Sequence, residues 1–351
     1  MSYHFFRKYM AKAIALLSGG LDSTLAILTI LKLGISVRAL QFITGFESDA
    51  SKKSSGLQDL KRTGKKFGFD MEVRALGQKF IEVLRNPKHG YGKNMNPCID
   101  CRILMLREAK NVMDSEKADF IITGEVLGQR PMSQRKDTLY HIDKEADLTG
   151  YILRPLSAKV LRETYPETEG LINREKLYGF AGRSRKPQIA LAEQFGLTGY
   201  PAPAGGCLLT ERIFSMRLKD LLAHSISPTL REFELLKTGR HFRFSQSSKI
   251  IIGRNRLEND IIESLATTGD AVLTVEGYGS PLAVLTGKIS DDALRSAASL
   301  CARYSDAKHL DEVDVSIIHG KKQSCITVRP ADPDTIKTQR IGKPSDKNIT
   351  A

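Results

Sequence analysis

"AIALLSGGLDST", residues 13–24, decides the fold. Its first half is a run of small and branched apolar residues, as in a strand covered on both faces. The run stops at Ser18-Gly19-Gly20. From Asp22 a helical pattern begins, with Leu25, Leu28, Ile30 and Leu31 forming an apolar face. A strand, a glycine turn and a helix opening at Asp22-Ser23-Thr24 make a cradle for an oxyanion. Glycines let backbone N–H groups approach closely, and the helix N-terminus adds its positive dipole. The ordinary phosphate loop reads G-x-x-x-x-G-K-[ST], whereas this turn is shorter and has no lysine. A tight turn in which Asp22 and Ser23 merely cap the helix is the alternative.

Outward from this turn, apolar runs at 12–17, 35–42, 71–75 and 120–123 read as strands, with one more at 151–156. Helical patterns at 22–33, 52–67, 79–84 and 103–112 lie between them. This alternation predicts an α/β domain, a parallel sheet with helices on both faces. Ligands bind such sheets beyond the carboxyl ends of the strands, where both "SGGLDS" and "TGE" (123–125) fall. From residue 158 the pattern reads as helical through 188–195, until "GLTGYPAPAGGCLLTER" (196–212) breaks it. Residues 214–223 read as a connecting helix. From about 230, "FRFSQSSKIIIGRN", "AVLTVEGYGSPLAVLTGK" and "VSIIHGKKQSCITVRP" read as short strands and turns of a smaller α+β domain. The expected organisation is 1–157, a nucleotide-binding domain; 158–229, its helical and cysteine-loop extension; 230–330, the second domain; and 331–351, a polar, mobile tail.

The chain has 351 residues, with Lys+Arg 53 against Asp+Glu 40 and a net charge of +13. That excess favours a polyanionic partner. No apolar run reaches the length of a membrane span. The positive N-terminus runs straight into the glycine turn with no small-residue cleavage site, so it is not expected to be a signal peptide. Five cysteines, an odd count in a long chain, point to a reducing, cytoplasmic setting.

"SGGLDS" resembles the PP-loop of the ATP pyrophosphatase superfamily, SGGxDS after the first strand of an adenine nucleotide alpha hydrolase-like fold. The resemblance implies ATP cleavage between the α and β phosphates and adenylation of a substrate carbonyl oxygen. It implies that Ser18, Gly19, Gly20, Ser23 and Thr24 hold the pyrophosphate, with Asp22 ordering the loop or a magnesium ion. Mg2+ is expected on physical grounds too, because a divalent ion offsets the phosphate charge that repels a nucleophile.

Cys98 and Cys101 form a C-x-x-C in "NPCIDCR" at a loop–helix junction, and Cys207 follows the glycines of "PAPAGGCLL". Cys301 and Cys325 read as buried small hydrophobes. A thioredoxin-like pair belongs in another topology, and a structural zinc site usually takes four ligands. Three thiolates suit an iron–sulfur cluster with one open iron, and equally a persulfide-carrying cysteine with a resolving partner. "NPC-x-x-C" with a later loop cysteine resembles the tRNA thiolation enzymes. In cluster-dependent members the three matching places, here Cys98, Cys101 and Cys207, hold a 4Fe-4S cluster. Members with aspartate at the first place work through a persulfide, so Cys98 favours the cluster.

"TGEVLGQRPMSQ" (123–134) and "LRPLSAK" (153–159) resemble segments of the 4-thiouridine synthase branch. This implies that Gly124, Gln129, Ser133 and Gln134 border the nucleotide and the target base. The chain departs from that branch in two expected ways: no ferredoxin-like and THUMP region before residue 12, and no rhodanese domain after the catalytic part. "TGRHFRF" and "KIIIGRNRLENDII" resemble the RNA-binding domain of the NFACT family. There Arg240, His241, Arg243, Arg254, Asn255 and Arg256 are expected to meet phosphates or bases, with Lys321 and Lys322 extending the surface. A solvated basic face is the alternative.

These readings converge on an ATP-dependent tRNA sulfurtransferase that takes sulfur from sulfide or a cysteine desulfurase relay. The loop before Cys207 is expected to close over the base. No histidine base is required, so His89 and His141 are expected to be surface or loop residues. The rivals are a nitrogen-transferring enzyme of the same superfamily and a non-catalytic RNA-binding protein with a nucleotide fold.

Overall fold

In the computed structural model the described residues are 11–47, 57–200 and 207–342. The chain divides into two units, Met1–Leu208 and Leu209–Ala351.

The first unit is built on strands β1 (Lys12–Leu16), β2 (Ser36–Ile43), β3 (Asp70–Ala75), β4 (Phe120–Thr123) and β5 (Ile152–Leu153). Their order is β3-β2-β1-β4-β5, and every pair is parallel. β1 is central: Ala15 lies opposite Ala39 on one side and Ile122 on the other. Successive side chains of a strand point to opposite faces, and here both faces are dry. Ala13 and Ala15 pack with Ile27 and Ile30 of α1 (Leu21–Lys32) and with Leu60 of α2 (Leu57–Phe67). After α3 (Gly77–Arg85), helices α4 (Cys98–Ser115) and α5 (Lys136–Glu145) cover the other face. There Ile14 and Leu16 pack with Ile103, Leu106, Ala109 and Ile142. The chain order reverses direction at β1, so a crevice for ligands opens beyond its carboxyl end.

The structure departs from expectation at three places in this unit. α4 begins at Cys98 rather than near 103, so the C-x-x-C is its first turn. α5 has a polar face that masks its helical period, and the apolar pattern alone does not mark it. Residues 158–185, expected to be helical, form only single turns at Ala158–Val160, at α6 (Tyr165–Thr168) and at Arg174–Lys176. A capping box of Thr164 and Glu167 starts α6, with Pro166 in its first turn, and Gly170, at φ 70°, follows its end. Arg174 then ties the segment together, donating to the carbonyls of Ala158 and Leu161 at 2.7 and 2.8 Å and pairing with Glu167. A regular helix, α7 (Lys186–Gln194), follows.

The second unit opens with α8 (Arg212–His224) and α9 (Leu230–Leu235). Its antiparallel sheet comprises β6 (Arg240–Ser245), β7 (Ser248–Ile252), β8 (Ala271–Val275), β9 (Ala283–Gly287), β10 (Val313–His319), β11 (Lys322–Val328) and β12 (Arg340–Ile341). Their order is β11-β10-β8-β9-β7-β6-β12. Between β7 and β8 runs α10 (Arg256–Leu265), and between β9 and β10 runs α11 (Asp291–Arg303). One face packs Phe242, Ile250, Leu273 and Leu285 against Ala293, Ala297 and Cys301 of α11. On the other face Ile251 and Val284 meet Leu235 and Ile262. The tail expected from 331 is folded in its first part. Asp332 caps α12 (Pro333–Gln339), accepting from the Thr335 amide at 2.8 Å, and β12 adds to the sheet beside β6. Residues 343–351 lie outside the described residues. Cys301 is buried as expected, but Cys325 is exposed on the edge strand β11, on the face opposite Ile326 and Val328, which pack into the core. No described helix is long and apolar enough to cross a membrane.

Candidate functional site

The turn after β1 is built by its own hydroxyls. Gly19 sits at φ 78°, a left-handed conformation that glycine adopts without strain. Gly20 is the N-cap of α1, and no side chain caps that terminus. The merely capped turn is therefore not what forms. Instead Ser23 Oγ donates to the Gly20 carbonyl at 2.9 Å and lies 3.1 Å from Ser18 Oγ. It also accepts from the Ser18 amide at 3.2 Å, while Thr24 Oγ1 donates to the Gly20 carbonyl at 3.2 Å. These bonds shape the backbone and leave the first-turn amides of α1 as orphan donors with the helix dipole behind them, the features of an anion site.

Asp22 Oδ2 accepts from Gln129 Nε2 at 3.1 Å, whereas Oδ1 is buried with no hydrogen-bond partner among the described residues. A buried, unpartnered carboxylate oxygen is expensive unless a cation joins it, and a hard oxygen ligand beside a phosphate cradle suits Mg2+. Gly124 is packed directly on this turn: a Cβ there would lie 2.4 Å from the Ser23 nitrogen. Ser133 and Gln134, expected at the ligand, are buried. Gln134 uses its side-chain oxygen to accept from the Arg130 amide at 3.0 Å, closing the 128–134 loop on itself.

Behind the TGE segment runs a buried charge network that sequence reasoning missed. Arg154 donates to both oxygens of Asp143 at 2.7 and 2.9 Å and to Glu125 at 3.0 Å. Arg102 pairs with the other Glu125 oxygen at 3.1 Å. Burial opposes the Glu125 charge, but Arg102 and Arg154 hold its carboxyl below the usual range. Burial pushes the Asp143 carboxyl up against the pull of Arg154. The only local signals are a glutamate at a strand end and an arginine directly after Cys101. A cavity of about 140 Å³ lies beside Arg154, Tyr140 and Glu167, away from "SGGLDS" and the cysteines.

Cys98 and Cys207 both come within electrostatic reach of Cys101. Cys207 forms an antiparallel bridge with Glu47, and the Leu208 amide donates to the Phe46 carbonyl at 2.9 Å. This lays Cys207 beside the extension of β2, while "PAPAGG" (201–206), with the expected closing loop, lies outside the described residues. Burial pushes the Cys101 thiol up to about 12; Arg102 opposes this, and Cys207, Cys98 and Glu47 add to it. Burial also raises the Cys98 thiol, against Arg130 and Arg102. Such thiols stay protonated at neutral pH unless a cation displaces the proton. Among the described residues, the cysteines are not one of the groups whose ligand atoms converge within 4.8 Å, as a single ion needs. Thiolate donors suit zinc and iron–sulfur clusters alike, and three of them fall one short of a closed structural zinc site.

In the second unit the expected RNA contacts separate into two kinds. His241 is fully buried, with Nε2 2.8 Å from the Thr238 carbonyl, and cannot reach a surface ligand: both faces of β6 are covered here, and its neighbour Phe242 is buried as well. Asn255 caps α10, accepting from the Glu258 amide at 3.0 Å. Arg243 forks onto Asp220 at 3.0 and 2.6 Å, Arg254 pairs with Glu258, and Arg240 lies over the Tyr304 ring, 4.5 Å from its centroid. Arg256, Lys321 and Lys322 are exposed. Arg256 starts α10 just after β7, while the lysines sit at the β10–β11 turn, with β9 and β8 between. Three strand spacings of about 4.8 Å separate β7 from β10, so these cations do not form one tight patch.

A 3-2-1-4-5 parallel sheet with SGGxDS at the turn after its central strand defines a PP-loop domain. Residues 9–160 match the family described as thiamine biosynthesis protein (ThiI), and residues 239–340 match the NFACT protein RNA binding domain. The chain thus joins a ThiI-like PP-loop domain to an NFACT-like domain. A probable tRNA sulfurtransferase of Bacillus velezensis is 34% identical over 146 residues, 41% of this chain and 34% of that protein. One of Thermococcus kodakarensis is 29% identical over 145 residues, 41% of this chain and 36% of the relative. The chain spans about a third of the length of these curated relatives. A crystal structure of a 4-thiouridine synthetase–RNA complex with bound ATP is similar at 23% identity and a TM-score of 0.41, over 56% of this chain and 44% of that one.

Proposed function

We propose that the protein is an ATP-dependent tRNA sulfurtransferase that adenylates a uridine carbonyl oxygen and replaces it with sulfur. One observation carries the reading: nucleotide turn and thiols are linked within a single unit. Gly124 packs on Ser23, Gln129 holds Asp22, and Glu125 pairs with Arg102, the residue after Cys101.

A uridine carbonyl loses its oxygen poorly, and adenylation makes that oxygen a good leaving group. The first-turn amides of α1, with Ser18, Gly19, Gly20, Ser23 and Thr24, bind the pyrophosphate end of ATP. They bear the charge that develops as the α–β bond breaks, where preorganised donors are most effective. Asp22 would take Mg2+, with Gln129 fixing its carboxylate. Cys98, Cys101 and Cys207 would hold a 4Fe-4S cluster; when bound, such a cluster supplies an iron without a protein ligand that takes up sulfide. Arg102 and Arg130 place positive charge where an incoming anionic sulfur must sit. The second unit supplies tRNA affinity through Arg256, Lys321 and Lys322, and AMP leaves as sulfur takes its place.

The test is AMP release by the full-length protein with Mg-ATP, tRNA and sulfide, with mass spectrometry of the tRNA nucleosides. Thiouridine and AMP should appear together. Asp22→Ala and Ser23→Ala should lose both, and Cys98→Ser, Cys101→Ser or Cys207→Ser should lose thiouridine. AMP formed without tRNA, or with no sulfur in any nucleoside, would overturn the reading.

A further inference from the structure

The sulfur and nucleotide chemistry leaves two histidines without a use. His89 lies in the segment before the C-x-x-C turn, and His141 lies on α5. Their Nε2 atoms face each other at 2.8 Å, with the rings edge-on, centroids 4.9 Å apart and an interplanar angle of 80°. A carboxylate oxygen of Glu145, one turn along α5 from His141, and one ring nitrogen of each histidine lie within 4.8 Å of one another. We propose that His89, His141 and Glu145 form a site for a single divalent ion of the zinc class, which clamps the 86–97 segment to α5 beside the cysteine turn.

A second observation orients the ligands. His89 Nδ1 is 2.9 Å from Asp100 Oδ1, and the His89 amide donates to Asp100 Oδ2 at 3.0 Å. A carboxylate that accepts from Nδ1–H fixes the tautomer with its lone pair on Nε2, the arrangement that serves a metal-bound imidazole. His89 is thus anchored as a ligand from behind, while His141, being exposed, is free to turn. Two nitrogens on one zinc at about 2.0–2.1 Å each stand about 3.3 Å apart in tetrahedral geometry. The 2.8 Å approach therefore needs to open only slightly, by rotation of His141. Two imidazoles and one carboxylate are the donor set of zinc-type ions, with the fourth place open to water. Lys88 Nζ holds one Glu145 oxygen, Oε2, at 2.6 Å, which leaves Oε1 for the ion.

The consequence is mechanical. Asp100 lies between Cys98 and Cys101 in the first turn of α4, so an ion on His89 would stiffen the turn that carries two of the thiols. The ion site stands whether or not the protein transfers sulfur.

The experiment is equilibrium dialysis of metal-free, full-length protein against Co2+ or Zn2+ alone. Because the cysteines also take soft metals, it is run in parallel on Cys98→Ser/Cys101→Ser/Cys207→Ser protein. In both backgrounds His141→Ala should bind one Co2+ fewer per chain. The missing Co2+ should be the one whose visible bands lack a thiolate charge-transfer band. Asp100→Asn should weaken that binding by about 10- to 100-fold. Zn2+ should slow amide exchange in residues 86–97 of the unchanged protein and not of His141→Ala. Equal Co2+ uptake with and without His141, or no change in exchange on adding Zn2+, would overturn the proposal.

Discussion

Gly124 shows how much one hydrogen atom can matter. A Cβ there would stand 2.4 Å from the nitrogen and Cα of Ser23 and 2.5 Å from the Asp22 carbonyl carbon, all backbone atoms of the nucleotide turn. Neither side can yield without moving a strand end or the first turn of α1. Gly124→Ala should therefore lower stability by about 1–3 kcal/mol and abolish AMP formation. Urea unfolding and the AMP assay check the two parts, and a variant with full AMP formation would show that the turn is not held so tightly. His241 makes a second residue-scale case. Burial holds its imidazole well below its usual value. The folded unit thus stays neutral while the unfolded chain takes up a proton below about pH 6.5. The unfolded state then binds more protons, so stability falls as pH falls through that value. The slope is at most about 1.4 kcal/mol per pH unit for one proton. His241→Gln should flatten the acid slope, read from urea midpoints between about pH 5 and 7; an unchanged slope would assign it to another group.

At the scale of elements, the network of Arg154, Glu125, Asp143 and Arg102 fastens β5, the end of β4, α5 and α4 together. A buried ion pair adds little net stability when intact, yet is costly to break, because the abandoned partner stays buried and charged. Arg154→Ala would strand Asp143 and leave Glu125 with Arg102 alone, and should cost about 3–5 kcal/mol. That corresponds to a fall in Tm of roughly 10 °C. Arg154→Lys should recover only part, since an ammonium cannot fork onto Asp143 and reach Glu125 together. Thermal unfolding measures both, and a variant within about a degree of the parent would mean that water enters the network. The same elements carry Cys101 through Arg102, so Arg154→Ala should also impair thiouridine formation more than AMP formation.

At the scale of the whole molecule, a net charge of +13 acts on a polyanion beyond any single contact. tRNA affinity should fall steeply with salt as phosphate contacts release counterions. Arg256→Glu and Lys321→Glu/Lys322→Glu each remove exposed cations from separate places on the second unit, so their effects should add. Removing one cation that meets a phosphate should reduce the log–log salt slope by about 1. Filter binding of tRNA at several salt concentrations decides this. Unchanged slopes in both variants would place the RNA surface elsewhere. Arg243 and Arg254 are already occupied by Asp220 and Glu258, so charge alone does not identify which cations meet RNA.

The sequence by itself determined the sheet and the glycine turn after its central strand. Alternating apolar strands and helices, a glycine pair and a run of hydroxyls are local patterns, and local patterns dictate backbone conformation over a few residues. It also marked Cys98 and Cys101 as a pair, because one helical turn separates them. What only the tertiary structure decided depends on strand order. Cys207 reaches Cys101 because it pairs beside Glu47 at the extension of β2. His89 meets His141 across 52 residues because α4 and α5 cover the same face of the sheet. In "RHFRF" the neighbours His241 and Phe242 are both buried, because both faces of the sheet are covered at β6. Single-residue alternation predicts one face in and one face out, and only the packing shows otherwise. A charge or thiol acts through neighbours a few ångströms away, and folding chooses those neighbours without regard to their distance along the chain.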